Sequence, residues 1–373
     1  MGINRLCFQG SGDHAHRIPV VPRKISLFLF CPLALLALVL GSSLRAQDVA
    51  SVVGTVAFPV GENRMISVGV PLVRPAVAAG VVELVDSGGV TLINGEGTPQ
   101  AVAANLLEGS SYYIEVVGHR DGSSSTALGH RFEIDEPATK AQSAGKIVLG
   151  DSHLNTLEKN SLALIVGHRV VVRPHWTLAG IFGTGTSSPL NSSVNPAEAD
   201  QVYFSTAKGL SVFYFRGGVS PQWRSLASGP VNQDGAIIPP GVGVFFKRQK
   251  NAATFTVVGE VRAGRFVRSP VLSGQLIVSG FPVSASLADL RLLAGAGLTS
   301  GATAEVADQV FRWDGAAFEG FFLRAGSAPA WQKAALDNLD YSGAKLLEAS
   351  SAILVRLKSG PLAPLVQSVP FSL

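Results

Sequence analysis

Two aspartates at matching places in the second half of the chain are the first candidates for acid–base chemistry. They stand in Asp200-Gln201 and Asp308-Gln309, and each pair precedes a run of strand-forming residues. A hydrolase that works with two carboxylates needs them to converge on one bond. Equivalent positions in two successive units need not face each other, so we favour a structural role in which each aspartate closes a turn beside its glutamine.

The histidines and serines lack the patterns of known catalytic or metal sites. None of the five histidines after residue 46 has the helical i, i+4 spacing or the His-x-His pairing of a metal site. Ser225 and Ser228 lack the Gly-x-Ser-x-Gly or Ser-x-x-Lys pattern at a strand-to-helix turn. We therefore predict no catalytic residue, no metal site and no cofactor. The five histidines are His119, His130, His153, His168 and His175.

The tryptophans offer a binding chemistry instead. Trp223 and Trp331 each lie in a strand-like segment close to aromatic residues, and Arg216 and Arg324 precede them at equal spacing. Exposed rings of this kind form flat platforms for sugars or partner chains, with the arginines stacked on them. Buried rings supply core area, and we favour this alternative because alternation along a strand turns one side inward.

These candidates recur because the second half of the chain matches itself at one constant offset, which relates Asp200 to Asp308. The matches form two sequence motifs, Ala-Asp-Gln-Val and Phe-x-x-Arg-x-Gly-x-x-Pro-x-Trp. Fixed spacing over such a span predicts one folding unit used twice. The first-copy residues with an identical partner are Pro174, Ala199, Asp200, Gln201, Val202, Phe213, Arg216, Gly218, Pro221, Trp223 and Arg248.

The elements that position these residues are predicted to be strands. Runs of β-branched and aromatic residues alternate with Gly, Asn, Asp and Ser, for example at 66–73, 112–117, 211–216 and 352–357. Only 100–107 and 287–293 have the composition of short helices. The predicted fold is all-β with a few short helices, in which an N-terminal β unit is followed by two tandem pseudo-symmetric β-sandwich or barrel-like modules.

The boundaries follow from the same patterns. Residues 1–46 have basic residues, an apolar run from 25 to 40 and a small-residue cleavage site, so they predict an export signal. We expect an N-terminal β unit over 47–172, the first repeat over 173–267 and the second over 268–373. No later stretch predicts a membrane span in the mature chain. The expected location is periplasmic, on the outer surface or extracellular.

Charge and cysteine content exclude further classes. The chain has 30 basic and 26 acidic residues, and residues 1–46 contain five of the basic and one of the acidic residues. The remainder is neutral overall, which argues against nucleic-acid binding, because that affinity depends on a basic surface. Both cysteines, Cys7 and Cys31, lie in the leader. The mature chain therefore has no disulfide and must obtain its stability from buried cores.

Four features of the sequence are considered together: segments 174–178 and 239–246, the motif around Trp223, and Trp331. Together they resemble an uncharacterised family of exported bacterial β-repeat proteins. The resemblance implies a secreted or envelope-associated component and carries no reaction or ligand. The second copy departs from it, with Leu-Glu-Ala at 347–349 where the first copy has Pro-Pro-Gly.

The function expected from sequence is a non-enzymatic structural or binding protein of the bacterial envelope or extracellular space, with envelope components or polysaccharide as partners. One alternative is a carbohydrate-binding module that uses exposed tryptophan faces. Another is a hydrolase that uses Asp200 or Glu198, for which both acids would have to share a solvent-filled cleft.

Overall fold

The structure, a computed structural model, describes residues 52–86, 89–142, 145–206, 209–334 and 338–371. The expected export signal at 1–46 lies outside these ranges. Strands predominate and the two α-helices have five residues each, so the predicted all-β fold with a few short helices is confirmed. None of the helices in the described ranges is long and apolar enough to cross a bilayer.

The elements of the described ranges follow in chain order. The strands are β1 (Val53–Val60), β2 (Met65–Val68), β3 (Ala78–Asp86), β4 (Gly89–Ile93), β5 (Tyr112–His119), β6 (Arg131–Glu133), β7 (Lys146–Ile147), β8 (His168–Pro174), β9 (Trp176–Thr177), β10 (Gln201–Thr206), β11 (Gly209–Arg216), β12 (Gln222–Ser225), β13 (Ile237–Ile238), β14 (Val244–Lys247), β15 (Ala253–Glu260), β16 (Phe266–Arg268), β17 (Gln275–Ile277), β18 (Gln309–Trp313), β19 (Phe318–Arg324), β20 (Ala330–Lys333), β21 (Ile353–Arg356) and β22 (Leu365–Gln367). The helices are α1 (Glu136–Lys140) and α2 (Leu178–Phe182), and 3-10 turns span Ala103–Asn105, Lys159–Ile165, Pro196–Glu198 and Ala294–Ala296.

Strands β3 to β8 form a six-stranded antiparallel sheet in the order β6-β5-β8-β3-β4-β7. Alternate residues of the central strand β8, such as Val170 and Val172, face a separate apolar core. Register shifts in β3 and β5 bend the sheet. We name residues 78–174 the inserted unit, because strands β1 and β2 before it pair with strands β15 and β14 after it.

The first module comprises residues 53–73 and 175–262. Its five-stranded sheet has the order β12-β11-β10-β14-β2, and β1 pairs with β15 in a separate ribbon. Both parts enclose one core, which contains Phe58 from β1, Phe246 from β14 and Trp223 from β12. Strands from before the inserted unit therefore complete a core whose other strands follow it.

The second module, residues 266–371, has the same arrangement. Its sheet order is β20-β19-β18-β21-β17, and β16 pairs with β22 in the ribbon position. The registers agree at the offset seen in the sequence: Gln201 pairs with Tyr214, and Gln309 pairs with Phe322. The module has its own core, which is built around Trp331.

Two sequence predictions need correction. Residues 53–68 were expected in the N-terminal unit, but they pair with β14 and β15 of the first module, on the far side of the inserted unit in the chain. Local pattern cannot reveal such a non-local pairing. The helices predicted at 100–107 and 287–293 are a 3-10 turn at 103–105 and a series of turns, whereas α1 and α2 begin where Asp135 and Thr177 cap the first turn.

The two modules contact each other through equivalent positions. Gly69 N donates to Ser350 O at 2.8 Å, and Val278 N donates to Gly241 O at 3.1 Å. Each contact joins the edge strand of one sheet, β2 or β17, to the segment before β21 or β14 in the other module. Such reciprocal contacts define a pseudo-two-fold interface. Phe245 and Leu276 lie in the apolar cluster at its centre.

Candidate functional site

The two candidate acids, Asp200 and Asp308, have structural roles: each is a clasp, a buried carboxylate that holds loops to the start of a strand. Asp200 is fully buried and accepts hydrogen bonds from the backbone N–H groups of Asn191 and Gln249, both at 2.8 Å. Its Oδ2 atom also forms an ion pair with Arg248 Nη1 at 2.5 Å. Because every contact is internal, the carboxylate ties two loops to the start of β10 and has no path to a substrate.

Asp308 has the same position without the arginine. It is fully buried and accepts hydrogen bonds from Thr299 N at 2.7 Å and Lys358 N at 2.6 Å. The sequence match between Arg248 and Arg356 is not a structural equivalence, because Gln309 pairs with Arg356, whereas Gln201 pairs with Lys247. An extra residue in the second copy places a buried leucine, Leu357, where the first copy has Arg248.

The two glutamines support adjacent turns. Gln201 Nε2 donates to Pro196 O at 2.7 Å, and Gln309 Nε2 donates to Ala304 O. Tyr203 also donates its hydroxyl to Gln201 Oε1. Glu198 is exposed and bonds Asn195 Nδ2 at 3.1 Å, so it shares no cleft with the buried Asp200. The hydrolase alternative requires both acids in one cleft, and the structure does not bring them together.

Trp223 and Trp331 lie in the cores and cannot form a surface platform. Each ring is fully buried. The surroundings match, because Trp223 Nε1 donates to Gly183 O at 3.0 Å and Trp331 Nε1 donates to Leu292 O at 2.6 Å. The structure therefore rules out these two rings as exposed sugar-binding faces.

Arg216 and Arg324 lie on the other face of each sheet. Phe215 is the cross-strand partner of Trp223, so the next residue, Arg216, points away from the ring. In the second module Arg324 Nη1 donates to Gln332 Oε1 at 2.9 Å, which also lies on that outer face. The expected stacking of these arginines on the tryptophans is wrong, because strand alternation separates them.

His130 and His168 bond side chains within the inserted unit, and His175 of the first module bonds a side chain of that unit. His175 Nε2 lies 2.7 Å from Glu133 Oε2, and His130 Nδ1 lies 2.9 Å from Thr156 Oγ1. His168 Nε2 lies 2.6 Å from Ser125 Oγ, but its Nδ1 meets the backbone oxygen of residue 166 at 3.3 Å rather than a carboxylate. No group of three metal-ligating side chains is brought together in the described part of the chain.

The structure shows a cleft that sequence reasoning did not find, where the inserted unit and both modules meet. We name it the junction cleft, and its volume is about 930 Å³. Leu154 forms its wall on the inserted unit, Phe204 and Ile237 line the first module, and Leu272 and Pro361 line the second. None of its described lining residues is acidic, lysine or arginine, and its one titratable side chain is that of the exposed His153. Apolar walls with a few hydrogen-bonding groups at a boundary between units are typical of binding pockets.

A groove of about 830 Å³ runs beside the junction cleft and shares Asn155 and Pro270 with it. It separates the inserted unit from the second module and is lined by His130 and Arg265. Burial lowers the pKa of His130 to about 4, and the nearby Arg265 and Arg131 act in the same direction. The imidazole is therefore neutral at pH 7, and the acidic side chains of the groove are those of Asp151 and Glu158.

A second cleft occupies the equivalent place at the other end of the module interface. We name it the Trp313 cleft, and its volume is about 400 Å³. Phe204 and Ser205 of the junction cleft correspond, at the offset of the repeat, to Arg312 and Trp313 of this one. Trp313 is half-buried, and its Nε1 donates to Met65 O at 2.7 Å.

Charge distinguishes the Trp313 cleft from the junction cleft. Asp314, Lys345 and Glu348 line it. Hydrogen bonds from the backbone N–H groups of Ala317 and Ala316 hold the pKa of Asp314 below its usual range. The two modules thus present one cleft that is bounded by the inserted unit and lacks carboxylate, lysine and arginine side chains, and one cleft that has them beside a tryptophan.

Sequence reasoning missed both clefts because their walls come from segments far apart in the chain. A usable signal was the offset itself: Trp313 is an aromatic residue that the first copy replaces with Ser205. Positions that differ between two otherwise matching copies are candidates for function rather than for packing.

Comparison with known proteins adds no relative. No protein-family model matches the chain, and searches of curated proteins and of solved structures gave no match.

Proposed function

We propose that the protein is an exported, non-enzymatic binding protein of the bacterial envelope or extracellular space, and that the junction cleft is its binding surface. One observation carries the proposal: three units, each with its own core, meet at a cleft of about 930 Å³ that has no described carboxylate, lysine or arginine in its lining. A site between packed units is held in shape, so binding there avoids the entropic cost of ordering loops.

Several features support this function. The clasped aspartates and buried tryptophans account for the shared residues as structural parts, and the sequence at 1–46 has the pattern of an export signal. We infer that the two modules are one folding unit used twice, since strand order, register and the tryptophan hydrogen bonds agree between them. The family resemblance points to the same location.

The cleft predicts the chemistry of the occupant. Phe204, Ile237 and Leu272 offer apolar area, while Ser211 and Gln275 offer hydrogen bonds without fixed charge. Such a lining suits an extended, uncharged segment of an envelope component, in which apolar groups alternate with hydroxyls or amides.

The test blocks the cleft while leaving the fold unchanged. Ser211→Trp places a large ring in the cleft, and Thr256→Trp adds the same ring on an exposed face of β15. Purified peptidoglycan and envelope polysaccharide serve as probes in sedimentation assays. We expect retention of the wild type and of Thr256→Trp, with at least tenfold weaker retention of Ser211→Trp. Equal retention of both variants, or none by the wild type, would refute the junction cleft as the site.

The export part is tested separately. Expression of the full chain in a bacterial host, followed by fractionation and N-terminal sequencing, should yield a product that begins near Gln47 outside the cytoplasm. A product found only in the cytoplasm with residues 1–46 intact would contradict export.

A carbohydrate ligand is the second candidate, and the Trp313 cleft favours it. A half-buried indole beside charged groups of both signs can stack on a sugar ring and bond its hydroxyls. Glycan-array binding that is lost in Trp313→Leu, with near-ultraviolet circular dichroism otherwise unchanged, would support it. Binding that survives this substitution would remove the Trp313 cleft from consideration.

A further inference from the structure

Three arginines from three different units surround one phenylalanine ring. The guanidinium carbons of Arg131, Arg262 and Arg268 lie 4.7, 4.9 and 5.4 Å from the centroid of the Phe266 ring. All three side chains are buried. The face of an aromatic ring attracts a cation. Three positive charges around one ring also repel each other, and the protein interior screens this repulsion poorly.

The neighbouring carboxylates already bond other side chains. Glu115 forms ion pairs with Arg262 and with Arg173 Nε, the latter at 3.4 Å. Arg173 Nη1 also pairs with Glu260 at 2.5 Å. Glu133 acts on Arg131 electrostatically, but it is bonded to His175 Nε2 at 2.7 Å, and in the described part of the chain no carboxylate forms an ion pair with Arg131.

Arg268 likewise lacks a described acidic partner and uses backbone oxygens instead. Its Nη1 donates to Gly241 O at 2.6 Å, and its Nη2 donates to Val278 O at 2.5 Å. These bonds satisfy two nitrogens, but carbonyl oxygens do not neutralise the charge. The junction therefore carries more buried positive than negative charge.

The same arginines have buried nitrogens without a hydrogen-bond acceptor. They are Nη1 and Nη2 of Arg131, Nε of Arg262 and Nε of Arg268. A buried charged group with unpaired N–H donors is costly, and such groups in folded proteins mark bound water or ions. Burial lowers the pKa of Arg131 to about 10 and of Arg268 to about 9, so both remain protonated at pH 7.

We propose that a monatomic anion of the size of chloride binds among Arg131, Arg262 and Arg268 and neutralises the junction of the three units. Space limits the ligand: a cavity of about 10 Å³ beside the Phe266 ring, lined by Arg262 and Tyr113 but not by Arg131 or Arg268, has room for one particle the size of a water molecule. Phosphate and carboxylate compounds are too large for it.

The first experiment measures thermal unfolding of the purified chain against halide concentration. Chloride or bromide replaces gluconate at constant ionic strength, so general screening does not change. We expect the unfolding midpoint to rise and saturate with either halide. The rise should vanish in Arg131→Leu and persist in Arg356→Leu, which removes an exposed arginine. A midpoint that is equal in halide and gluconate would overturn the proposal.

The second experiment needs only the wild type, so it decides the matter even if Arg131→Leu does not fold. Crystals grown in sodium bromide should show an anomalous peak in contact with the guanidinium nitrogens of Arg131. Bromide found only at the protein surface, with no peak at the junction, would count against the site.

Discussion

Trp223 and Trp331 occupy matching places in the two modules and make the same hydrogen bond, each from Nε1 to a backbone oxygen in the loop that crosses its core. Their backbone bonds match too: Gln233 N donates to Trp223 O and Tyr341 N donates to Trp331 O, both at 2.8 Å. The two tryptophans indicate that the sequence motifs shared by the two modules supply residues that pack in the cores. We therefore expect function to lie where the copies differ, which is at the two clefts.

Replacing either tryptophan should destabilise its module by a similar amount. Trp223→Ala and Trp331→Ala each leave a cavity and an unpaired carbonyl, and we expect a loss of about 3–5 kcal/mol in the free energy of unfolding. Urea denaturation followed by far-ultraviolet circular dichroism measures it. Leu226→Ala, at an exposed position, should cost less than about 1 kcal/mol. A tryptophan variant as stable as this control would contradict the core role.

The clasp at Asp200 should tolerate loss of the arginine better than loss of the acid. Asp200→Asn leaves Arg248 buried without a counter-charge, for which we expect a loss of about 3–5 kcal/mol. Arg248→Leu reproduces the second module, where Asp308 is held by backbone N–H groups beside Leu357. Its loss should be smaller by about 1–2 kcal/mol. Chemical denaturation compares the two, and the reverse order would refute this account.

The module interface should reject a methyl group at Gly243. A Cβ there would lie 2.4 Å from Ala352 Cβ and 3.1 Å from Val68 O. Gly243→Ala should cost about 1–3 kcal/mol through overpacking and increase cleavage between the modules in limited proteolysis. Gly235→Ala is the control, because a Cβ at that position meets no atom within 4 Å. Equal proteolysis of both variants would show that the close approach is not required.

Acid should destabilise the inserted unit through His130. Its pKa is lowered to about 4 by burial, against 6.5 for an unhindered imidazole, so below pH 6.5 the unfolded chain takes up a proton that the folded chain does not. Stability should fall as the pH decreases from 6.5 to 4. After allowance for solvent screening at this partly exposed group, we expect a loss of about 1–2 kcal/mol.

The measurement is urea denaturation at several pH values between 4 and 7. His130→Gln cannot take up the proton, so its stability should depend less on pH over this range than that of the wild type. Identical pH dependence in both proteins would show that another group is responsible.

The sequence by itself determined the all-β class and many of the strands, and it predicted the correspondence between the two modules. Strand alternation and turns at Gly or Asp are patterns of residues close together in the chain. A duplicated motif such as Ala-Asp-Gln-Val is visible in the sequence without coordinates. The favoured structural roles of Trp223 and Asp200 also followed from the pattern, because large aromatic residues in strands supply core area and an aspartate before a strand closes a turn.

Only the tertiary structure decided where β1 and β2 belong, which side of each sheet the arginines occupy and where the clefts lie. Pairing of Val53–Val60 with Ala253–Glu260 joins segments on opposite sides of the inserted unit, and no local pattern encodes that hydrogen bonding. The register shift that puts Leu357 in the place of Arg248 is likewise invisible until the strand pairing is known. Clefts form between units, so they depend on packing of distant surfaces rather than on any one segment.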